Sequence, residues 1–307
     1  MMRDAVSGTG TGVTVLMAVY NGAPYLRTAL DSLLAQTMPR FQMVIVDDAS
    51  TDPTAALIES YRDPRVELIR LERNIGQTAA LNVGLRRAST PWIARMDADD
   101  YAAPGRLEAQ LRAIEQDATL GCVGTFAWVF SDDPRQVDDV IEKPTEDAAI
   151  KRQLLRIVPL IHGSLLVRRD LLLAVGAYDE RYRYSADWEL YTRLLPRCRA
   201  ANIPQRLMGL RRHPGQGSFT RASLDENLQI FSRLLSQPGR AREDRAAIHS
   251  SLAYTYCARA RASGASGRLG PMLSDLGRAV RWAPVTAVRQ LAASAIPPRA
   301  QARVRAS

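Results

Sequence analysis

Three carboxylates close the stretch Trp92-Ile93-Ala94-Arg95-Met96-Asp97-Ala98-Asp99-Asp100. A short apolar run ending in Asp-x-Asp reads as a strand with a charged carboxyl end. Ligands of open α/β sheets bind in the crevice beyond that end. Side chains two residues apart on an extended segment point the same way. Asp97 and Asp99 are therefore candidates to hold one hard cation, Mn²⁺ or Mg²⁺, with substrate phosphate oxygens in the same shell. The competing reading is a solvated acidic turn. Asp47 and Asp48 end a second apolar run in the same way. Asp187 and Glu189 stand near the start of a helical stretch, about 200° apart around its axis, so only one of them can face a given substrate. His213 follows two arginines and precedes Pro-Gly, a loop setting that favours a site. His162 reads as a core histidine and His249 as an uninvolved residue of a tail helix. Trp188 and Tyr191 read as packing residues. Tyr182 and Tyr184 either line an acceptor groove or cap a loop. Cys122 and Cys198 read as buried hydrophobes.

The elements that must position these groups follow from periodicity. Residues 13–19 predict a buried strand, and Pro24 suits the first turn of a helix carrying Leu26, Leu30, Leu33 and Leu34. Strands are predicted at 41–46, 66–71 and 91–96. One helix falls between the first two, and another opens at Asn74-Ile75-Gly76-Gln77. Four strands alternating with helices imply a parallel, doubly wound sheet with right-handed crossovers. Further on, helices are predicted from 104 to 116 and from 148 to 156, and strands at 120–130, up to 167, and at 203–211. Residues 131–147 read as a mobile loop or hairpin, and 187–195 as a helix. From about 221 the chain turns helical, with Ser223-Leu224-Asp225-Glu226 as a capping box. Gly8-Thr9-Gly10-Thr11-Gly12 has the letters of a dinucleotide fingerprint. It precedes the first strand, so it cannot open the first helix and reads as a flexible leader.

Length and composition bound the class. A chain of 307 residues with 46% hydrophobic content suits a large α/β domain with an appendage. No signal-peptide plan or membrane-length apolar run is evident, so a cytoplasmic location is expected. Three scattered cysteines without CxxC spacing argue against a disulfide framework or zinc site. Residues 221–307 hold 14 basic and 5 acidic side chains, while residues 1–220 hold 27 of each. The basic excess thus belongs to the tail, which argues against a general nucleic-acid binder.

At this point the chain resembles glycosyltransferase family 2, with its GT-A fold. The residues carrying the resemblance are Val15-Leu-Met-Ala-Val-Tyr-Asn-Gly22, Val44-Ile-Val-Asp-Asp-Ala-Ser-Thr-Asp52, Arg73-Asn-Ile-Gly76 with Ala80-Leu-Asn82, and Ala94-Arg-Met-Asp-Ala-Asp-Asp100. Pro104-Gly-Arg-Leu107, His162-Gly163, Val175-Gly-Ala-Tyr-Asp179, Ser185-Ala-Asp-Trp-Glu189 and Arg212-His-Pro-Gly215 follow in the family's order. Together they span roughly residues 13–219.

The resemblance implies a GT-A-like doubly wound mixed sheet flanked by helices, with a C-terminal helical appendage. It divides the chain into a leader (1–12), a nucleotide-sugar-binding half (13–119), an acceptor-binding half (120–220) and a basic helical region (221–307). It implies an inverting, metal-dependent, hexosyltransferase-type enzyme of cell-surface polysaccharide biosynthesis. The donor is a nucleotide-diphosphate sugar of the UDP type, and the acceptor a carbohydrate or lipid-linked glycan. Ala18, Val19, Tyr20, Asp48, Asn74, Asp97 and Ala98 match donor-binding positions, with Asp48 reading the base edge. Asp99, Asp97 and His213 match the metal site, Asp99 as the more direct ligand, and Asp187 matches the general base. One departure is Ala186, where relatives often carry Glu. The missing carboxylate neighbour is read as raising the Asp187 pKa, with the group still ionised near neutral pH.

Two rival readings are a sugar nucleotidyltransferase and an inactive nucleotide-sugar-binding module. The first is disfavoured because Tyr20-Asn21-Gly22-Ala23 stands where a Gly-rich basic loop is expected. The second is disfavoured because Asp48, Asp97, Asp99 and Asp187 are all retained. The tail has two readings side by side. In one, Val285, Val288, Leu291 and Ile296, interleaved with Arg289 and Arg299, lie on the cytoplasmic membrane face. In the other, the tail is an ordinary helical appendage.

Overall fold

The computed structural model describes residues 12–213 and 220–294, with side chains described through Gln290. Residues 1–11 of the expected leader, Pro214-Gly215, Ile296 and Arg299 lie outside the described residues, as does the side chain of Leu291. The chain first alternates β1 (Val13–Val19), α1 (Ala23–Leu34), β2 (Gln42–Asp47), α2 (Thr54–Ser60), β3 (Val66–Arg70), α3 (Gln77–Arg87) and β4 (Trp92–Arg95). It continues through β5 (Tyr101–Ala102), α4 (Arg106–Gln116), β6 (Leu120–Phe130), β7 (Asp139–Ile141), α5 (Asp147–Gln153), β8 (Leu166–Arg168), α6 (Arg169–Ala174), α7 (Ala186–Leu194) and β9 (Arg199–Arg211). Helices α8 (Arg221–Ser236), α9 (Arg242–Ala265), α10 (Leu269–Trp282) and α11 (Pro284–Ser294) follow.

The strands form one mixed sheet in the order β3-β2-β1-β4-β8-β6-β9-β5, with β7 beside β6. Strands β3, β2, β1 and β4 are parallel, as their alternation with helices requires. Strand β8 runs antiparallel to both β4 and β6 and makes the sheet mixed. All seven residues of β1 are buried, because helices cover both of its faces. On one face Val13, Val15 and Met17 share a core with Leu26, Leu30 and Leu33 of α1 and Leu107 and Leu111 of α4. On the other face α3 comes so close that a Cβ on Gly84 would lie 2.4 Å from Leu16 Cδ1 and 3.0 Å from Val46 Cγ2. A glycine at that helix position sets the helix-to-sheet distance. Each fully buried leucine of the α1 stripe contributes about 1.5–3 kcal/mol.

Two local expectations change. Strand β4 stops at Arg95, and Ala98 and Asp99 form a turn. The extended-segment argument for Asp97 and Asp99 therefore does not apply, and their placement has another cause, given below. Helix α8 begins earlier than its expected capping box. Thr220, in extended conformation, is the N-cap, and its hydroxyl accepts the Ser223 N–H at 3.2 Å. Ser223 lies inside the first turn, where its own hydroxyl donates back to the Thr220 carbonyl.

The chain divides into two compact units. One holds the described residues up to Lys151 together with those from Val158 to His213. The other holds Arg152–Ile157 and the described residues from Thr220 onward. Within the second, the Ser251 hydroxyl on α9 donates to the Leu155 carbonyl at 2.9 Å.

Candidate active site

The candidate residues from Ala18 to Asp99 gather at or beyond the carboxyl ends of β1, β2, β3 and β4. The loop after β1 is fastened to the loop after β2. Asn21, at a positive φ of 51°, accepts the Thr51 N–H on its side-chain oxygen at 2.8 Å, and its own N–H donates to the Ser50 hydroxyl at 2.9 Å. The Gly22 N–H donates to the Thr54 hydroxyl at 2.9 Å. This fixes the ends of Ala18, Val19 and Tyr20, of which Tyr20 is exposed and Ala18 and Val19 are buried. Asp48 is buried, and its two oxygens accept the N–H groups of Ile75 and Gly76 at 2.7 and 2.8 Å. Asn74 donates to the Asp48 carbonyl at 3.2 Å. Asp48 thus anchors the turn that opens α3, and a carboxylate retains further lone pairs for a base edge. Beside this turn is an open cleft of about 280 Å³, lined by residues 74–79 with Glu180 and Arg183.

The acidic turn after β4 is held by buried arginines. Arg95, only 1% exposed, sends Nη2 to Asp97 Oδ1 at 2.5 Å and Nη1 to the Met96 carbonyl. Gln77 of α3 reaches the same Asp97 oxygen at 3.1 Å. Asp99 pairs with His213, Nε2 to Oδ2, at 3.0 Å. Asp100 accepts the Arg211 N–H at 3.0 Å. The Arg211 guanidinium donates to the carbonyls of Asp99, Ser131 and Asp132, each at 3.0 Å, between the rings of Tyr25 and Phe130. Tyr25 in turn lies 4.4 Å from the His213 ring. Gly163 floors the cluster, since a Cβ there would meet Asp100 Oδ2 at 3.0 Å and Asp97 Oδ2 at 3.4 Å.

Charge is unevenly neutralised in this turn. Burial raises the Asp97 pKa, but the Arg95 charge together with the hydrogen bonds from Arg95 and Gln77 holds the group below its ordinary value. Asp99 is raised by burial and by the Asp97 charge, and Asp100 rises further for the same reasons. Like charges left uncompensated are what a bound cation would relieve. Among the described residues no three His, Cys, Asp or Glu side chains form a ready metal cage. The donor set instead suits a cation that completes its shell with waters and phosphate oxygens. Asp99, Asp97 and His213 fit that role.

Asp187 enters from the other half of the sheet. Helix α3 is stitched to the segment leading into α7. Asn82 donates to the Tyr178 carbonyl at 2.9 Å and accepts the Tyr178 N–H at 3.0 Å, while the Thr78 hydroxyl donates to the Tyr182 carbonyl at 2.9 Å. These bonds carry Asp187, in the first turn of α7, close enough to Asp97 for that charge to act on it. Burial and then Asp97 raise the Asp187 pKa to about 6, against the Trp188 N–H and the Lys143 charge, which lower it. The expected rise is present, but its cause is corrected. Removing a like-charged neighbour lowers a carboxyl pKa, so Ala186 cannot account for it, whereas burial does.

Several site residues were not singled out by the sequence. Arg95, Arg211 and Gln77 lie beside or opposite the acidic turn without a local signature. His162 pairs with the Tyr178 hydroxyl at 2.8 Å, and burial and the Arg95 charge push its pKa down to about 3, so it is neutral. Glu189 faces away from Asp187, as their helical spacing requires. It is fully buried and bonded through both oxygens to Arg193, which also donates to the carbonyls of Val175 and Ala177. Glu189 and Arg193 hold the Gly176-Ala177 turn, where both residues have positive φ. Trp188 and Tyr191 are buried in the expected packing roles.

A family model described as Glycosyl transferase family 2 matches residues 14–176. The succinoglycan biosynthesis protein ExoO of Rhizobium meliloti (strain 1021) is 43% identical over 109 residues, covering 36% of this chain and 30% of that protein. The crystal structure of S. aureus TarS 1-349 in complex with UDP-GlcNAc has a TM-score of 0.70 at 19% identity, over 90% of this chain and 83% of that one. The mannosyltransferase PcManGT from Pyrobaculum calidifontis, in complex with GDP-Man and Mn²⁺, has a TM-score of 0.59 at 24% identity, over 92% and 79%. These likenesses identify the mixed sheet with its helical C-terminal region as a GT-A fold.

Proposed function

Because the chain belongs to glycosyl transferase family 2, we propose that it moves a hexosyl group with inversion from a nucleoside-diphosphate sugar to a hydroxyl of a glycan acceptor. The observation carrying this reading is the convergence of Asp187 with the acidic turn. Residues ninety positions apart are drawn together by the bonds of Asn82 and Thr78 to the segment before α7, and the Asp97 charge raises the Asp187 pKa. Such an arrangement suits a sugar lying between a base on one side and a leaving diphosphate on the other.

Asp187 is the general base. Its oxygen takes the proton of the acceptor hydroxyl as that oxygen bonds to the anomeric carbon. The bond from that carbon to the diphosphate breaks on the opposite face, and the electron pair leaves with the nucleoside diphosphate. A pKa of about 6 suits a base that must be ionised near neutral pH yet able to hold a proton. A divalent cation held by Asp99 and His213, with Asp97 beside them, would neutralise the departing diphosphate. Arg95 and Arg211 fix the acidic turn, and Asp48 with Asn74 shapes the cleft at the start of α3 for the donor. That TarS was solved with UDP-GlcNAc and PcManGT with GDP-Man and Mn²⁺ supports a nucleotide-sugar donor and a metal here. A UDP sugar is the first donor to test. The likeness to a succinoglycan biosynthesis protein supports a polysaccharide or lipid-linked acceptor.

The test is incubation with a panel of nucleotide sugars and Mn²⁺, with and without glycan acceptors. Release of nucleoside diphosphate together with a glycosylated acceptor is expected. Release of pyrophosphate, or of nothing with any donor, would overturn the proposal.

A further inference from the structure

Helices α10 and α11 expose large apolar side chains that burial in protein alone does not account for. Their inward positions carry alanine: Ala279 and Ala287 are fully buried in a small core with Ala253 and Cys257 of α9. Trp282 packs against that core, but five other large apolar side chains point outward. Leu269, Leu273 and Val280 of α10 are 64%, 63% and 48% exposed, and Val285 and Val288 of α11 are 64% and 62% exposed. These five are among thirteen large hydrophobics exposed across the described residues, yet they fall within twenty positions. At about 100° per residue, Leu269, Leu273 and Val280 fall within an arc of about 40° on α10. A solvated helix normally places its polar residues there.

Charge on these helices has one sign outside. Their only acidic residue is Asp275. It is 2% exposed and turned inward onto Arg259, which bonds it through Nε at 2.9 Å and also pairs with Asp225 at 2.6 Å. The basic residues of the segment are Arg278, Arg281 and Arg289, with exposed Arg268 just before it. Arg278 lies over the Tyr256 ring. On α11, Arg289 stands about 40° from Val285, on the same face as Val285 and Val288. Arginine beside exposed aliphatic side chains is the pattern of a helix lying in a membrane interface, with its charges at the level of anionic headgroups. Among the described residues no helix is long and apolar enough to cross a membrane.

We infer that the outward face of α10 and α11 is a docking surface for an anionic phospholipid bilayer. The aliphatic side chains enter the headgroup boundary, and Arg281 and Arg289 meet lipid phosphates. This inference does not depend on the sugar-transfer reading, because none of its residues belongs to the active site. A second copy of the chain is the competing occupant. It is disfavoured because the like-charged arginines would face one another in a symmetric contact.

Co-sedimentation of the full chain with vesicles tests it. Pelleting is expected with phosphatidylcholine mixed with phosphatidylglycerol and not with phosphatidylcholine alone. Replacing both Leu273→Asp and Val288→Asp should abolish pelleting, and Arg289→Gln should weaken it roughly fivefold. All three substitutions are at exposed positions, and unchanged melting curves would show that the variants fold. Failure of the wild-type chain to pellet with the anionic vesicles would overturn the inference. So would pelleting that is indifferent to Leu273→Asp with Val288→Asp. A concentration-dependent dimer that these substitutions dissolve, in a chain that ignores vesicles, would assign the face to a second copy instead.

Discussion

Replacing Asp187 by Asn should slow the enzyme and stabilise it. Asn is nearly isosteric, and its side-chain oxygen can still accept the Trp188 N–H that Asp187 accepts at 2.7 Å. What changes is charge. Burial lifts the Asp187 pKa from 3.8 to about 6, so folding opposes its ionised form. A carboxyl whose folded pKa exceeds its unfolded value contributes stability that is complete below pH 3.8 and lost as pH rises through about 6. At about 1.36 kcal/mol per unit the full shift corresponds to about 3 kcal/mol. Asp187 keeps partial solvent exposure, and screening reduces the expected gain to about 1–2 kcal/mol. Asn carries no charge at any pH and escapes this loss. The variant should therefore melt about 2–6 °C higher than wild type near pH 7.5. The difference should shrink towards zero as pH falls through about 5 to 4. Turnover should fall about 10²–10⁴-fold, with donor affinity nearly unchanged, because proton acceptance is needed only in the transition state. Wild-type kcat/KM should drop with unit slope below about pH 6. Scanning calorimetry across pH and a nucleoside-diphosphate release assay give both readouts. An Asn variant that is no more stable at neutral pH, or that keeps its turnover, would refute the reasoning.

Three further outcomes follow from the same site. Asp99→Asn should remove the Mn²⁺ dependence of donor binding in calorimetric titration and abolish turnover while the melting curve persists. Undiminished wild-type turnover after chelation would contradict the metal assignment. Glu189→Gln should spare the chemistry. Because Glu189 is a buried partner of Arg193, the substitution should cost about 2–3 kcal/mol of stability, read by urea denaturation, with turnover per folded molecule near wild type. Asn82→Ala removes the bonds between α3 and the Tyr178 segment. It should lower kcat by about tenfold or more through misplacement of Asp187 while leaving the donor Kd within about twofold. A matching rise in Kd would show that Asn82 acts on the donor side.

Much of the fold was legible because it is written locally. The run Val13–Val19, the leucines of α1 and the acidic ends of the strands at Asp47 and Asp97 each announce an element or its end by spacing alone. Strand and helix periods depend only on near neighbours, so the parallel half of the sheet could be read directly. The motifs that place Asp48, Asp99, Asp187 and His213 in one family order were legible too. What those groups touch was not. Asp97 binds Arg95 because β4 stops short and turns. Asp48 spends its oxygens on the backbone of Ile75 and Gly76. The Asp187 pKa is set by burial, which no neighbouring letter reports. Asn82 and Tyr178, 96 positions apart, meet only because the sheet order brings α3 and the segment before α7 together. Local sequence determines which side chains stand at the ends of elements. Tertiary packing determines which charges meet there and how much water they keep, and those two quantities set the chemistry.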